Sequence, residues 1–180
     1  MVSREQELVE LVDADGRAVG TATVEEAHRP PGRLHRAFSV LLIDPAGRLL
    51  MQQRAAVKTR FPLRWANACC GHPAPGESPT AAATRRLVDE IGLSGIALTE
   101  IGVCVYRADD PDTGRVEHEY DHVLLGRVAP TPQLRPDPTE VAAVRWVTPN
   151  ELHADLLARP KSYAPWLAGV ARRLPGWPGV

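Results

Sequence analysis

Lysine is scarce in this chain: of 21 basic residues only Lys58 and Lys161 are lysine. With a net charge of -1 there is no cationic excess to lay along a phosphate backbone, which excludes a general nucleic-acid binder. Long apolar runs are missing too. None approaches the roughly 18 residues that a membrane-spanning helix needs. The opening MVSREQELVE mixes acids and bases, without the apolar stretch of a secretory leader. The expectation is a cytoplasmic protein with no membrane partner. Cysteine is limited to Cys69, Cys70 and Cys104. Two are adjacent and the number is odd, so a disulfide framework is excluded and reduced thiols are expected. No repeat, low-complexity tract or long linker divides the sequence. Residues 1–180 are therefore read as one domain, monomeric and large enough to build a core.

What is present reads as interleaved strands and helices. ELVELVD (7–13) and RAVGTATV (17–24) flank Asp15-Gly16, a strong hairpin signal. HRPPGRLH (28–35) must be loop. AFSVLLI (37–43) and RLLMQQR (48–54), joined by DPAG, read as a second hairpin. An irregular stretch, 55–77, precedes Ser78-Pro79, which opens a helix running to Ile91 and stopped by Gly92. Thr84, Leu87 and Ile91 are expected to form its buried face. Strands follow near 95–106, 116–128 and 141–147. A capping box at Thr148–Glu151 starts a short helix, and a last helix is expected over about 162–173. The class is α/β or α+β.

Three segments carry chemistry. GHPAPGE (71–77) leads into a helix whose Arg86 and Glu90 lie four apart on one face. They could be a plain ion pair or a grip on phosphate. WANACCGHP (65–73) contains the paired cysteines. In VEHEYDHVLLGRV (116–128), Glu117 and Glu119 are two apart on a strand, so both carboxylates share a face; His118, Tyr120 and His122 share the other. Taken alone, a buried cysteine or a solvated Glu pair is the commoner meaning of such features.

GHPAPGE with the following TRRLVDEIGL resembles the Nudix box, altered: Arg86 stands where that family has a Glu, and Asp89 where it has the next. WANACCGHP resembles the signature of the type I isopentenyl-diphosphate delta-isomerase family, which has the Nudix fold. The resemblance implies an α/β/α sandwich with a mixed sheet, a loop–helix–loop box and an added N-terminal hairpin (about 1–34). It implies shifting a carbon–carbon double bond in an isopentenyl diphosphate substrate, with the diphosphate kept intact.

By the same resemblance Cys70 and Glu119 are catalytic, and Tyr106 hydrogen-bonds the acid. His28, His35, His72, Glu117 and Glu119 bind one divalent metal. Such nitrogen-rich ligands suit Mn²⁺, Zn²⁺ or Fe²⁺ better than Mg²⁺. Glu90 and the Cys70 carbonyl hold a separate Mg²⁺ on the diphosphate. Arg54, Lys58 and Arg86 contact that diphosphate, and Trp166 faces the carbocation. The family often has a lysine where this chain has Val24, so that contact is expected to be absent or replaced by Arg29 or Arg33. The alternative reading is a Nudix pyrophosphohydrolase, which would want a full set of box carboxylates and no Cys70. A non-catalytic diphosphate- or metal-binding module would take up metal without turnover.

Overall fold

The computed structural model describes residues 3–178. In chain order the elements are β1 (Leu8–Val12), β2 (Ala18–Thr23), α1 (Val24–Ala27), β3 (His35–Ile43) and β4 (Leu49–Arg54). Short strands β5 (Trp65–Ala66) and β6 (Cys69–Gly71) precede α2 (Pro79–Ile91). Then come β7 (Leu98–Asp109), β8 (Val116–Arg127), β9 (Val141–Val147), α3 (Pro149–Ala158) and α4 (Leu167–Ala171).

The first hairpin forms as expected, with Gly16 at φ +77° supplying the left-handed turn residue. The last residues of TATVEEAH do not extend it. Thr23 and Glu26 cap each other's backbone N–H groups, and the single-turn helix α1 delivers His28 at its C-cap.

β3 and β4 are a hairpin only at the turn, where Ile43 pairs Leu49. Beyond it they separate. β3 runs parallel to β8, from His35 opposite Glu119 to Ile43 opposite Arg127, while β4 pairs antiparallel with β9. The split follows from burial on both faces of β3. Phe38, Val40 and Leu42 pack towards α2, whereas Leu41 and Ile43 pack towards α4 and Trp166. Helices thus cover both sides of a mixed sheet, as the α/β/α expectation required.

α2 has the predicted ends: Ser78 Oγ accepts from the Ala81 N–H, and Gly92 closes the helix at φ +70°. Its buried face is Ala83, Leu87, Glu90 and Ile91. Thr84 is exposed and donates to the Thr80 carbonyl. The expected helix over 162–173 is shorter. Pro165 lacks an N–H and disfavours a helical Ala164, so a 3-10 turn (Pro160–Ser162) and extended Tyr163 precede α4. Instead, the Ala164 N–H donates to the Trp65 carbonyl at 2.8 Å, which ties the approach to Trp166 to the cysteine segment. No described helix is long and apolar enough to cross a membrane.

Candidate active site

A cavity of about 620 Å³ opens between the box helix, the β6 segment and the N-terminal turn. Nine of the residues singled out from the sequence line it: Arg54, Lys58, Cys70, His72, Arg86, Tyr106, Glu117, Glu119 and Trp166. His28 and His35 are fully buried beside it, and Glu90 is buried behind Arg86.

Sheet register assembles the first cluster. Glu119, on β8, has His35 opposite it on parallel β3 and Tyr106 opposite it on antiparallel β7. His28, His35, His72, Glu117 and Glu119 offer ligand atoms that all lie within 4.8 Å of one another. Two imidazoles are oriented by the backbone: His28 Nδ1 bonds the Val24 carbonyl at 2.6 Å and His35 Nδ1 the Arg33 carbonyl at 2.8 Å. Each Nδ1 donates to its carbonyl, which turns Nε2 inward. His28 Nε2 lies 2.9 Å from Glu117 and His72 Nε2 2.9 Å from Glu119. His35 Nε2 is buried with no hydrogen-bond partner among the described residues. Burial pushes His72 down to about 4, so its ring is neutral. Three inward-facing imidazoles, an orphaned nitrogen and two carboxylates fit a divalent metal.

Cys70 and Cys69 point to opposite sides of β6. Pairing of β6 with β3 sends Cys69 into the core under α2 and Cys70 into the cavity. Burial pushes the Cys70 thiol up to about 12, against the opposing charge of Arg54, whose Nη1 lies 3.7 Å from the sulfur. Burial, followed by the Glu119 charge, also keeps Tyr106 a phenol, and its hydroxyl donates to Glu119. The Tyr106 ring stacks on Trp166 at 6.0 Å between centroids. Trp166 in turn has Phe61 edge-on at 5.6 Å and the Arg54 guanidinium 5.3 Å over its ring. One side of the cavity is thus aromatic.

The other side is cationic, and it contains residues that the sequence did not mark. Arg86 pairs with Glu90, as the i, i+4 spacing allowed, but also lies 3.4 Å from Glu140. Glu140 is buried and takes Lys58 and Arg4 as well. Burial, followed by the charge of Arg54, lowers Lys58 to about 8. Arg60 binds Glu5 at 2.9 Å and Glu117 at 3.2 Å, joining the N-terminal turn to the imidazole cluster. The replacement contacts sought in Arg29 and Arg33 are not in the cavity wall; Arg4, Arg60 and Arg85 are. Glu90 accepts from Arg86 and from Gln52 Nε2 at 3.1 Å. Trp166 is held by Asn67, whose Oδ1 accepts the indole N–H at 3.1 Å. Glu140, Arg4 and Arg60 carry no local motif, and only long-range contacts reveal them; Asn67 lies within WANACCGHP, but its bond to Trp166 is equally long-range.

Residues 33–168 match the NUDIX domain family model, which leaves the N-terminal hairpin outside the match. Among solved structures, a Deinococcus radiodurans protein superimposes with a TM-score of 0.75 at 21% identity, over 93% of this chain and 98% of that one. A MutT protein from Methanosarcina mazei Go1 gives a TM-score of 0.63 at 14% identity, over 78% and 91%. These two speak for the fold alone. Curated relatives are far more similar. An isopentenyl-diphosphate Delta-isomerase of Nocardia farcinica is 66% identical over 90% of this chain and 91% of its own length. The enzyme of that name from Streptomyces coelicolor is 54% identical over 81% and 73%. Identity of that order across nearly the whole fold places this chain in the isopentenyl-diphosphate Delta-isomerase family, a branch of the NUDIX fold.

Proposed function

We propose that this protein interconverts isopentenyl diphosphate and dimethylallyl diphosphate. One observation carries the reading: Cys70 and Glu119 open into a single cavity that is aromatic at Trp166 and cationic at Arg54, Lys58 and Arg86. A substrate with a five-carbon alkene tail and a diphosphate head needs such a divided site.

Moving the double bond requires a proton on one carbon of the alkene, a tertiary carbocation, and loss of a proton from a neighbouring carbon. We assign the two proton transfers to Cys70 and Glu119, which exchange roles when the reaction runs backwards. Tyr106 holds Glu119 through its hydroxyl. The face of Trp166 stabilises the cation through its quadrupole without forming a bond to it. Arg54, Lys58 and Arg86 hold the diphosphate, so the reacting carbons meet the acid and base in a water-poor pocket.

His28, His35, His72, Glu117 and Glu119 are assigned to one divalent metal, Mn²⁺ or Zn²⁺ by the nitrogen content of the set. When bound, its charge lowers the proton affinity of Glu119 and so strengthens it as an acid. Glu90 and the Cys70 carbonyl are assigned to Mg²⁺, which neutralises the substrate diphosphate. A monomer is proposed as the acting unit, and the cytoplasm as its compartment.

The hydrolase alternative is disfavoured by Arg86, which occupies a carboxylate position of the box and pairs with Glu90. Proton and phosphorus NMR of isopentenyl diphosphate incubated with protein and Mg²⁺ decide between them. Dimethylallyl signals should grow in with no free phosphate, and phosphate release matching substrate loss would sink the isomerase reading.

A further inference from the structure

One cation at the cavity comes from outside the NUDIX match. Arg4 belongs to a 3-10 turn, Arg4–Gln6, ahead of β1, yet it lines the same cavity as Arg54, Lys58 and Arg86. The turn is fixed from several sides. Its Glu5 accepts from Thr59 Oγ1 at 2.9 Å and from Arg60 Nη1 at 2.9 Å. The Glu7 carbonyl accepts the Val24 N–H at 2.8 Å. Arg60 continues the chain of contacts to Glu117 in the imidazole cluster. A turn tethered to both ends of the cavity is a wall, with Arg4 at its cationic end.

The partner of Arg4 explains why the guanidinium is available. It rests on one oxygen of Glu140, whose other oxygen already faces Lys58 and Arg86. A single carboxylate is thus shared among three cations, of which Arg86 also has Glu90, so Arg4 and Lys58 divide what Glu140 offers. The Arg4 side chain is 47% exposed, so solvent weakens its hold on Glu140. A phosphate group offers a guanidinium a bidentate, more highly charged acceptor. Exchange of partners is therefore favourable once a diphosphate enters.

We propose that Arg4 is a further substrate-binding residue, which leaves Glu140 for the diphosphate and makes the N-terminal turn one wall of the loaded site. This rests on the isomerase reading for the identity of the substrate. The test compares wild type, Arg4→Gln, Arg4→Lys and Arg17→Gln. Arg17 lies in the tip of the first hairpin, pairs with Asp15 and does not line the cavity.

Steady-state kinetics with isopentenyl diphosphate are measured beside calorimetric binding of inorganic pyrophosphate with Mg²⁺. In Arg4→Gln the KM and the pyrophosphate Kd should both rise about tenfold, which corresponds to ~1.4 kcal/mol, with kcat within about twofold of wild type. Arg4→Lys should recover part of the loss and Arg17→Gln should match wild type. A lowered melting temperature with KM and Kd unchanged would mark Arg4 as a mere latch on the N-terminus and overturn the proposal. So would an equal rise in Arg17→Gln. Absence of product from wild type would refute the isomerase reading by itself, while the pyrophosphate titration would still decide the role of Arg4.

Discussion

Asn67 is the hinge between Trp166 and the cysteine segment. Its Oδ1 accepts the indole N–H at 3.1 Å, while its own amide donates to the Cys69 carbonyl at 2.7 Å. The aromatic wall and the thiol therefore share one fully buried amide.

Asn67→Ala should disturb both at once. Leaving the indole N–H and a buried carbonyl without their partner costs about 1–3 kcal/mol for each unsatisfied group. Urea unfolding should register that loss. If Trp166 faces the cation, kcat should fall at least tenfold with a smaller change in KM. Unchanged kcat in a folded variant would remove the link.

The two cysteines should behave differently. Cys70→Ala is expected to abolish turnover with little loss of stability, because its side chain borders the cavity. Cys69→Ala should keep most activity and lose about 1 kcal/mol of stability, as removing one buried heavy atom from the packed layer under α2 leaves a small void. Equal losses of turnover in the pair would contradict the split.

Metal content tests the imidazole cluster. Protein purified without chelator should carry about one equivalent of a transition metal, and stripping it should lower both turnover and melting temperature, since an ion that binds only the folded state adds to its stability. His35→Ala should lose the metal. Full activity in metal-free protein would dismiss the assignment.

Lys58 sets an alkaline limit. Its amine, held near 8 by burial and by Arg54, is charged below that pH and neutral above it. If it grips the diphosphate, kcat/KM in the free enzyme should decline as pH passes about 8. Lys58→Arg keeps its charge at all these pH values and should carry the plateau upward. An identical alkaline limb in that variant would exclude Lys58 as its source.

Local chemistry made much of this legible. Ser78, Pro79 and Gly92 mark the ends of α2, and the Glu-x-Glu spacing put both carboxylates on one face. The cysteine and histidine segments were legible through their family resemblance. What stayed hidden depended on distant pairing. Nothing in AFSVLLI-DPAG-RLLMQQR says that its two strands separate after Ile43 and Leu49, since a run buried on both faces suits either partner. The Thr23–Glu26 box that makes α1 looked like the end of a strand. Pro165, just ahead of α4, is what shortens the last helix. Glu140 and Arg4 are ordinary charged residues until the fold sets them 136 positions apart on one another.

The parallel pairing of β3 with β8 has a consequence for assembly. Because His35 stands opposite Glu119, a slip of one residue would turn the imidazole and the carboxylate to opposite faces of the sheet. A misaligned sheet cannot gather the five donors. If the cluster takes up an ion as proposed, the metal-to-protein ratio of a preparation counts its correctly threaded molecules, and the cofactor acts as a proofreader of β-strand alignment.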